Sequence, residues 1–65
     1  MVLKELLKLL MPEQEIKIYE SPNCETPYYA GEAGYTPWWF ADMEIDKDAD
    51  IAVDKDGYIE INVTE

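Results

Sequence analysis

Histidine and arginine are absent from this 65-residue chain, cysteine occurs once, and basic residues of any kind number five. Without histidine there is neither the usual general base of nucleophilic catalysis nor the Cys/His pairing that structural zinc prefers. The single thiol, Cys24, cannot close an internal disulfide. A chain this short buries only about 60% of the surface that its unfolded form exposes, so it has a marginal core as a monomer. With disulfide and zinc unavailable, self-association or a partner is the expected support, and a homo-oligomer is expected. A lone cysteine in the polar stretch Ser21–Pro27 suits a reducing, cytoplasmic setting, because secreted mini-proteins carry paired cysteines. Long apolar runs are missing too. The opening "MVLKELLKLLM" is broken by Lys4, Glu5 and Lys8, so it reads neither as a signal peptide nor as a membrane span.

What is abundant is acid: fifteen Asp and Glu give a formal net charge of -10. Nucleic-acid affinity depends on Lys and Arg neutralising phosphates, so direct DNA or RNA binding is excluded as an expectation, together with anionic membranes and nucleotide substrates. The acids also keep a small protein soluble. They do not spell a calcium loop. Starting "DKDADIAVDKDG" at Asp46 places Ile51 where the loop needs glycine, and aligning Gly57 there leaves Ala52 and Val63 at the first and last ligand positions. Cys24 has only acidic charged neighbours in sequence, which oppose thiolate formation. Paired carboxylates could serve a glycosidase only inside a cleft that so short a chain scarcely builds. The expectation is a non-enzyme with no cofactor and no metal.

Hydrophobic spacing supplies the elements. Val2, Leu3, Leu6, Leu7, Leu9 and Leu10 make one face of an amphipathic helix that stops near Leu10 or Met11, ahead of Pro12. "EQEIKIYE" is a strand with Ile16 and Ile18 on one face and Lys17 and Tyr19 on the other. A loop between Pro22 and Pro27 leads to a short strand at Tyr28-Tyr29-Ala30 that ends in "GEAG". Thr36 and Pro37 read as the N-cap and first position of a short helical turn through Trp38, Trp39, Phe40 and Ala41. Met43-Glu44-Ile45 can begin another strand. Ile51 and Val53, then "DKDG", then Ile59, Ile61 and Val63 form a β-hairpin with Gly57 in the left-handed position. The resulting fold class is α+β: one domain over residues 1–65, with an N-terminal helix on a three- or four-stranded, mostly antiparallel sheet.

The stretch "YTPWWFADMEIDKDAD" concentrates both aromatics and acids. Helical neighbours point about 100° apart, so Trp38 and Trp39 cannot share one buried face, and one of them is expected at an interface. If the following segment is extended, Asp42, Glu44, Asp46, Asp48 and Asp50 lie on one face about 6.6–6.8 Å apart. Such a rail matches every second phosphate of a DNA strand, spaced about 3.4 Å in projection, and so reads as a DNA mimic. The commoner use of such patterning is an edge strand protected by its charges, and taken alone the rail reads first as that. Because Trp and Tyr are enriched among interface anchors, the expected partner-binding set is Tyr35, Trp38, Trp39, Asp42, Glu44, Asp46, Asp48 and Asp50.

The opening "LKELLKLLMPEQEIKIYE", a helix, a proline among acids and a strand, resembles the start of short accessory proteins encoded by bacteriophages and prophages. The resemblance carries over no functional residue. It implies an inhibitor that blocks a host protein, such as a nucleic-acid-binding or defence enzyme, in the host cytoplasm. Two other expectations stand beside it: a structural homo-oligomer burying its aromatic cluster, and a sponge whose Tyr and Trp residues surround a neutral or cationic small molecule.

Overall fold

The computed structural model describes residues 1–20 and 25–64. Its elements run α1 (Leu3–Leu7), β1 (Glu15–Glu20), β2 (Tyr29–Glu32), 3-10 turns at Ala33–Tyr35 and Trp38–Phe40, β3 (Glu44–Ile45), β4 (Ala52–Val53) and β5 (Ile59–Thr64). The strands form one five-stranded mixed sheet in the order β2-β1-β5-β3, with β4 also paired to β5. Ile59 and Glu60 already face β1 on one side, so β4 takes the other side, end to end with β3. The fold is α+β.

Alternation in the two six-residue strands builds the core. Ile16 and Ile18 of β1, with Ile61 and Val63 of β5, are completely buried, and Leu3 of α1 joins them. Each such side chain contributes about 1.5–3 kcal/mol of burial. Phe40 and Ala33 bring the two 3-10 turns into the same cluster, and Leu6, Leu7 and Leu10 pack against it. Lys17, Tyr19, Tyr58 and Glu60 occupy the opposite, polar face, as the alternation predicts. There Lys17 Nζ bonds Asp54 Oδ2 at 2.8 Å and lies 4.7 Å from the centre of the Tyr58 ring, while Tyr19 donates to Glu60 at 3.2 Å.

The hairpin forms as expected at its turn. Gly57 has φ 87°, a conformation that costs other residues a Cβ clash. Asp54 Oδ1 accepts from the backbone N–H groups of Asp56 and Tyr58 at 2.9 and 3.0 Å. Ile51 and Val53 are both exposed, so this arm of the hairpin adds nothing to the core.

Four other expectations need correction. The helix is five residues long instead of reaching Leu10: after Lys8, Leu9 and Leu10 donate to the carbonyls three residues back, a tightened turn ahead of Pro12. So short a helix has no stability of its own. Tertiary bonds hold it, with Leu3 N–H and Lys4 N–H donating to the carbonyls of Met43 and Ala41 at 2.8 and 2.9 Å, and Glu5 accepting from Val2 N–H. Among the described residues the sheet has five strands, not three or four. Its central pair, β1 with β5, is parallel, although the other three pairings are antiparallel. The second strand runs Tyr29–Glu32, one residue past the expected start, and absorbs the Gly31-Glu32 expected to end it. Finally, Thr36 does not cap the Trp38–Phe40 turn. Its hydroxyl donates back to Ala33 O at 2.8 Å, and extended Pro37 takes the cap position.

Candidate functional site

Three consecutive residues of a 3-10 turn point about 120° apart, so at most one of Trp38, Trp39 and Phe40 can enter the core. Phe40 does, at 4% exposure, which leaves Trp38 at 81% and Trp39 at 59%. Both tryptophans are therefore outside, where the sequence led to the expectation of one at an interface. They are nevertheless held in place. Trp38 and Trp39 meet edge to face with ring centres 5.9 Å apart, Trp39 leans on Phe40 at 5.9 Å, and Tyr28 meets Phe40 at 6.4 Å. Such pairs favour defined ring orientations beyond simple contact.

Beside Tyr28, Trp39 and Phe40 lies an open groove of about 400 Å³. Phe40 and Met43 floor it, Tyr28 and Trp39 wall it, and Glu20, Asp42 and Glu44 bring carboxylates to its rim. Position follows from backbone ties on both sides. Tyr28 N–H donates to Ile18 O at 2.8 Å, extending the β1–β2 ladder, and the bonds from α1 to the carbonyls of Ala41 and Met43 fix the other wall. Asp42 accepts from Lys4 Nζ at 3.3 Å, an ion pair open to solvent on both partners. Val2 bridges Glu44 along the sheet edge.

Of the expected site residues, the structure gathers Trp38, Trp39, Asp42 and Glu44 in one region. Tyr35 is exposed on the neighbouring turn, and Gly34 before it lies so close to Pro12 that an added Cβ would stand 3.0 Å from the proline ring. The rail is broken. Only Glu44–Ile45 is strand, and at Asp46 the chain turns: Asp46 Oδ1 accepts from Asp48 N–H at 3.0 Å and Ala49 N–H returns to Asp46 O. Asp46 N–H donates to Asn62 O, so β5 holds that residue while Asp48 and Asp50 depart on the loop. Aspartate prefers its own local turn over a regular strand, which is why acids at alternate positions did not stay in line.

Tyr28 and Glu20 were missed as members of the groove. They reach it across the β1–β2 pairing, a tertiary relation with no local signal, although "PYY" beside a strand marks an aromatic that could be turned outward. Of the loop expected between Pro22 and Pro27, the part up to Cys24, with its thiol, lies outside the described residues. On the polar face of the sheet, Asp54 is held below the usual carboxylate range by the Lys17 ammonium, and Lys17 is correspondingly raised. Glu15 beside Tyr58 raises that phenol, and burial followed by Glu60 raises Tyr19. These groups are paired with one another in a surface network that faces away from the groove.

Among the described residues, no helix is long and apolar enough to cross a membrane, and no group of three acids or thiols is placed to hold a metal ion. No protein-family model matches the chain, and no curated protein and no solved structure is significantly similar to it.

Proposed function

We propose that this chain is a non-catalytic binding protein that docks its Trp38 and Trp39 surface, with the adjoining acids, on a host protein in the cytoplasm, in the manner of a phage-encoded inhibitor of a defence or nucleic-acid-binding enzyme. The observation that carries this reading is the exposure of two tryptophans, 81% and 59%, held in place by ring contacts on a 3-10 turn whose third residue is core. Leaving that much aromatic surface in water is unfavourable, and clustered exposed apolar patches mark interaction sites. Fixed indoles suit an anchor because little side-chain entropy remains to be lost on binding. The rim of Asp42 and Glu44, in a chain of net charge -10, favours a partner with a basic surface. Inhibition, and the phage setting, rest on the resemblance of the N-terminal stretch.

The test is to capture a partner from host lysate with tagged protein and measure its binding to Trp38→Ala, the more exposed of the pair. The variant is expected to keep the wild-type circular dichroism, raise the dissociation rate and lose about 2 kcal/mol of affinity, within the range for interface anchors. A folded Trp38→Ala variant that binds like wild type would overturn the reading. Light scattering on the isolated protein tests the homo-oligomer, and mass spectrometry of retained ligand tests the sponge.

A further inference from the structure

We infer that the groove between Tyr28 and Trp39 receives an arginine side chain of the partner, its guanidinium stacked on the Trp39 indole and paired with the carboxylates at the rim. This rests on the binding role proposed above and names what that surface recognises. Three features of the groove combine. Its lining includes the rings of Tyr28, Trp39 and Phe40 beside Met43, and the π faces of Trp and Tyr attract cations. Its rim carries three carboxylates, Glu20, Asp42 and Glu44, against two cations of this chain, Lys4 on Asp42 at 3.3 Å and the N-terminal ammonium on Glu44 at 3.2 Å, so the rim keeps an excess of acid. Its volume of about 400 Å³ is far larger than a water site and leaves room for a long side chain.

A guanidinium fits this combination better than an ammonium, because it is planar, weakly hydrated and able to stack on a ring while donating in its own plane to carboxylates. A cation of this chain already visits the rim: Lys4 Nζ stands 3.3 Å from Asp42, whose side chain is 86% exposed. Exposed pairs of this kind are weak and can exchange for a partner's charge. The occupant cannot come from a second copy, since the chain contains no arginine.

The experiment uses a short blocked peptide, acetyl-Gly-Arg-Gly-amide, titrated into the full-length protein while the Trp39 indole N–H and the Tyr28 ring are followed by NMR. Saturable shifts at both residues are expected, with binding about tenfold weaker for the citrulline peptide, which keeps the shape and loses the charge. Lysine and trimethyl-lysine peptides are expected to bind several-fold more weakly than arginine. Glu20→Gln should weaken the arginine peptide, and Glu13→Gln, which removes the same charge elsewhere, should not. Equal binding of citrulline, or of lysine or trimethyl-lysine, would overturn the assignment, as would equal effects of the two Gln variants. Loss of the captured partner on Trp38→Ala, without arginine binding in the groove, would leave the docking surface standing and refute only its occupant.

Discussion

Asp54 joins the hairpin turn to the polar face of the sheet. One carboxylate oxygen accepts from two turn N–H groups while the other meets Lys17 Nζ at 2.8 Å, with the two side chains 16% and 25% exposed. The ammonium, followed by the backbone donors, holds the carboxyl below its ordinary range. A depressed folded-state pKa contributes stability that is present above the unfolded value of about 3.9 and is lost as pH falls through the folded value. Lys17 shifts the other way, so its share is complete below the unfolded value of about 10.4 and is lost as pH rises through the folded one. Asp54→Asn keeps an oxygen for the turn and removes only the charge. It should therefore lower the urea midpoint at pH 7, with the deficit shrinking once wild type is taken well below pH ~4. Urea titrations at pH 7, 5 and 3 measure this, and a deficit of the same size throughout would assign Asp54 to the turn alone.

At the scale of elements, β1 and β5 differ from everything around them. Each has six residues, each has neighbours on both sides, and they share a five-pair parallel register. β4 has two exposed residues, and α1 only one turn and a half of regular helix. Hydrogen exchange should accordingly find the amides of β1 and β5 slowest, near the global unfolding limit, and those of Ala52, Val53, Leu9 and Leu10 fast. Equal protection in β4 and β5 would contradict this order. The same contrast governs what could be read from sequence. Ile16, Ile18, Ile61 and Val63 alternate within continuous runs, so their strands and their buried face were legible, as was the Gly57 turn. The parallel pairing of residues more than forty apart was not, because no local pattern distinguishes it from an antiparallel one. Apolar spacing through Leu10 overstated the helix, since the pattern continues into a tightened turn. At the site, the exposure of a tryptophan followed from helical geometry alone. The groove did not, since Tyr28 and Glu20 reach it only through the folded sheet.

For the whole molecule, the ratio of charge to size decides. The chain measures 26 × 25 × 17 Å and carries a net charge of -10. The Debye length is about 30 Å at 0.01 M salt, spanning the molecule, and about 10 Å at 0.1 M, where only near neighbours interact. Dilute buffer therefore exposes the fold to repulsion among all its acids, and added NaCl relieves it. Folding stability should rise with salt, seen as a higher urea midpoint at 0.5 M than at 0.02 M NaCl. Association with a basic partner should respond in the opposite sense, because the same field that strains the fold draws the partner in and is screened along with it. The association rate, measured by surface plasmon resonance with the captured partner at the same two salt concentrations, should fall by about tenfold or more, within the range of electrostatic steering. Self-association provides the contrast, since two copies that repel each other dimerise more readily as salt rises. An association rate that climbs with NaCl would thus exclude a basic partner, while a dimer that strengthens over the same salt range, followed by light scattering of the isolated protein, would favour a homo-oligomer closed over Trp38 and Trp39.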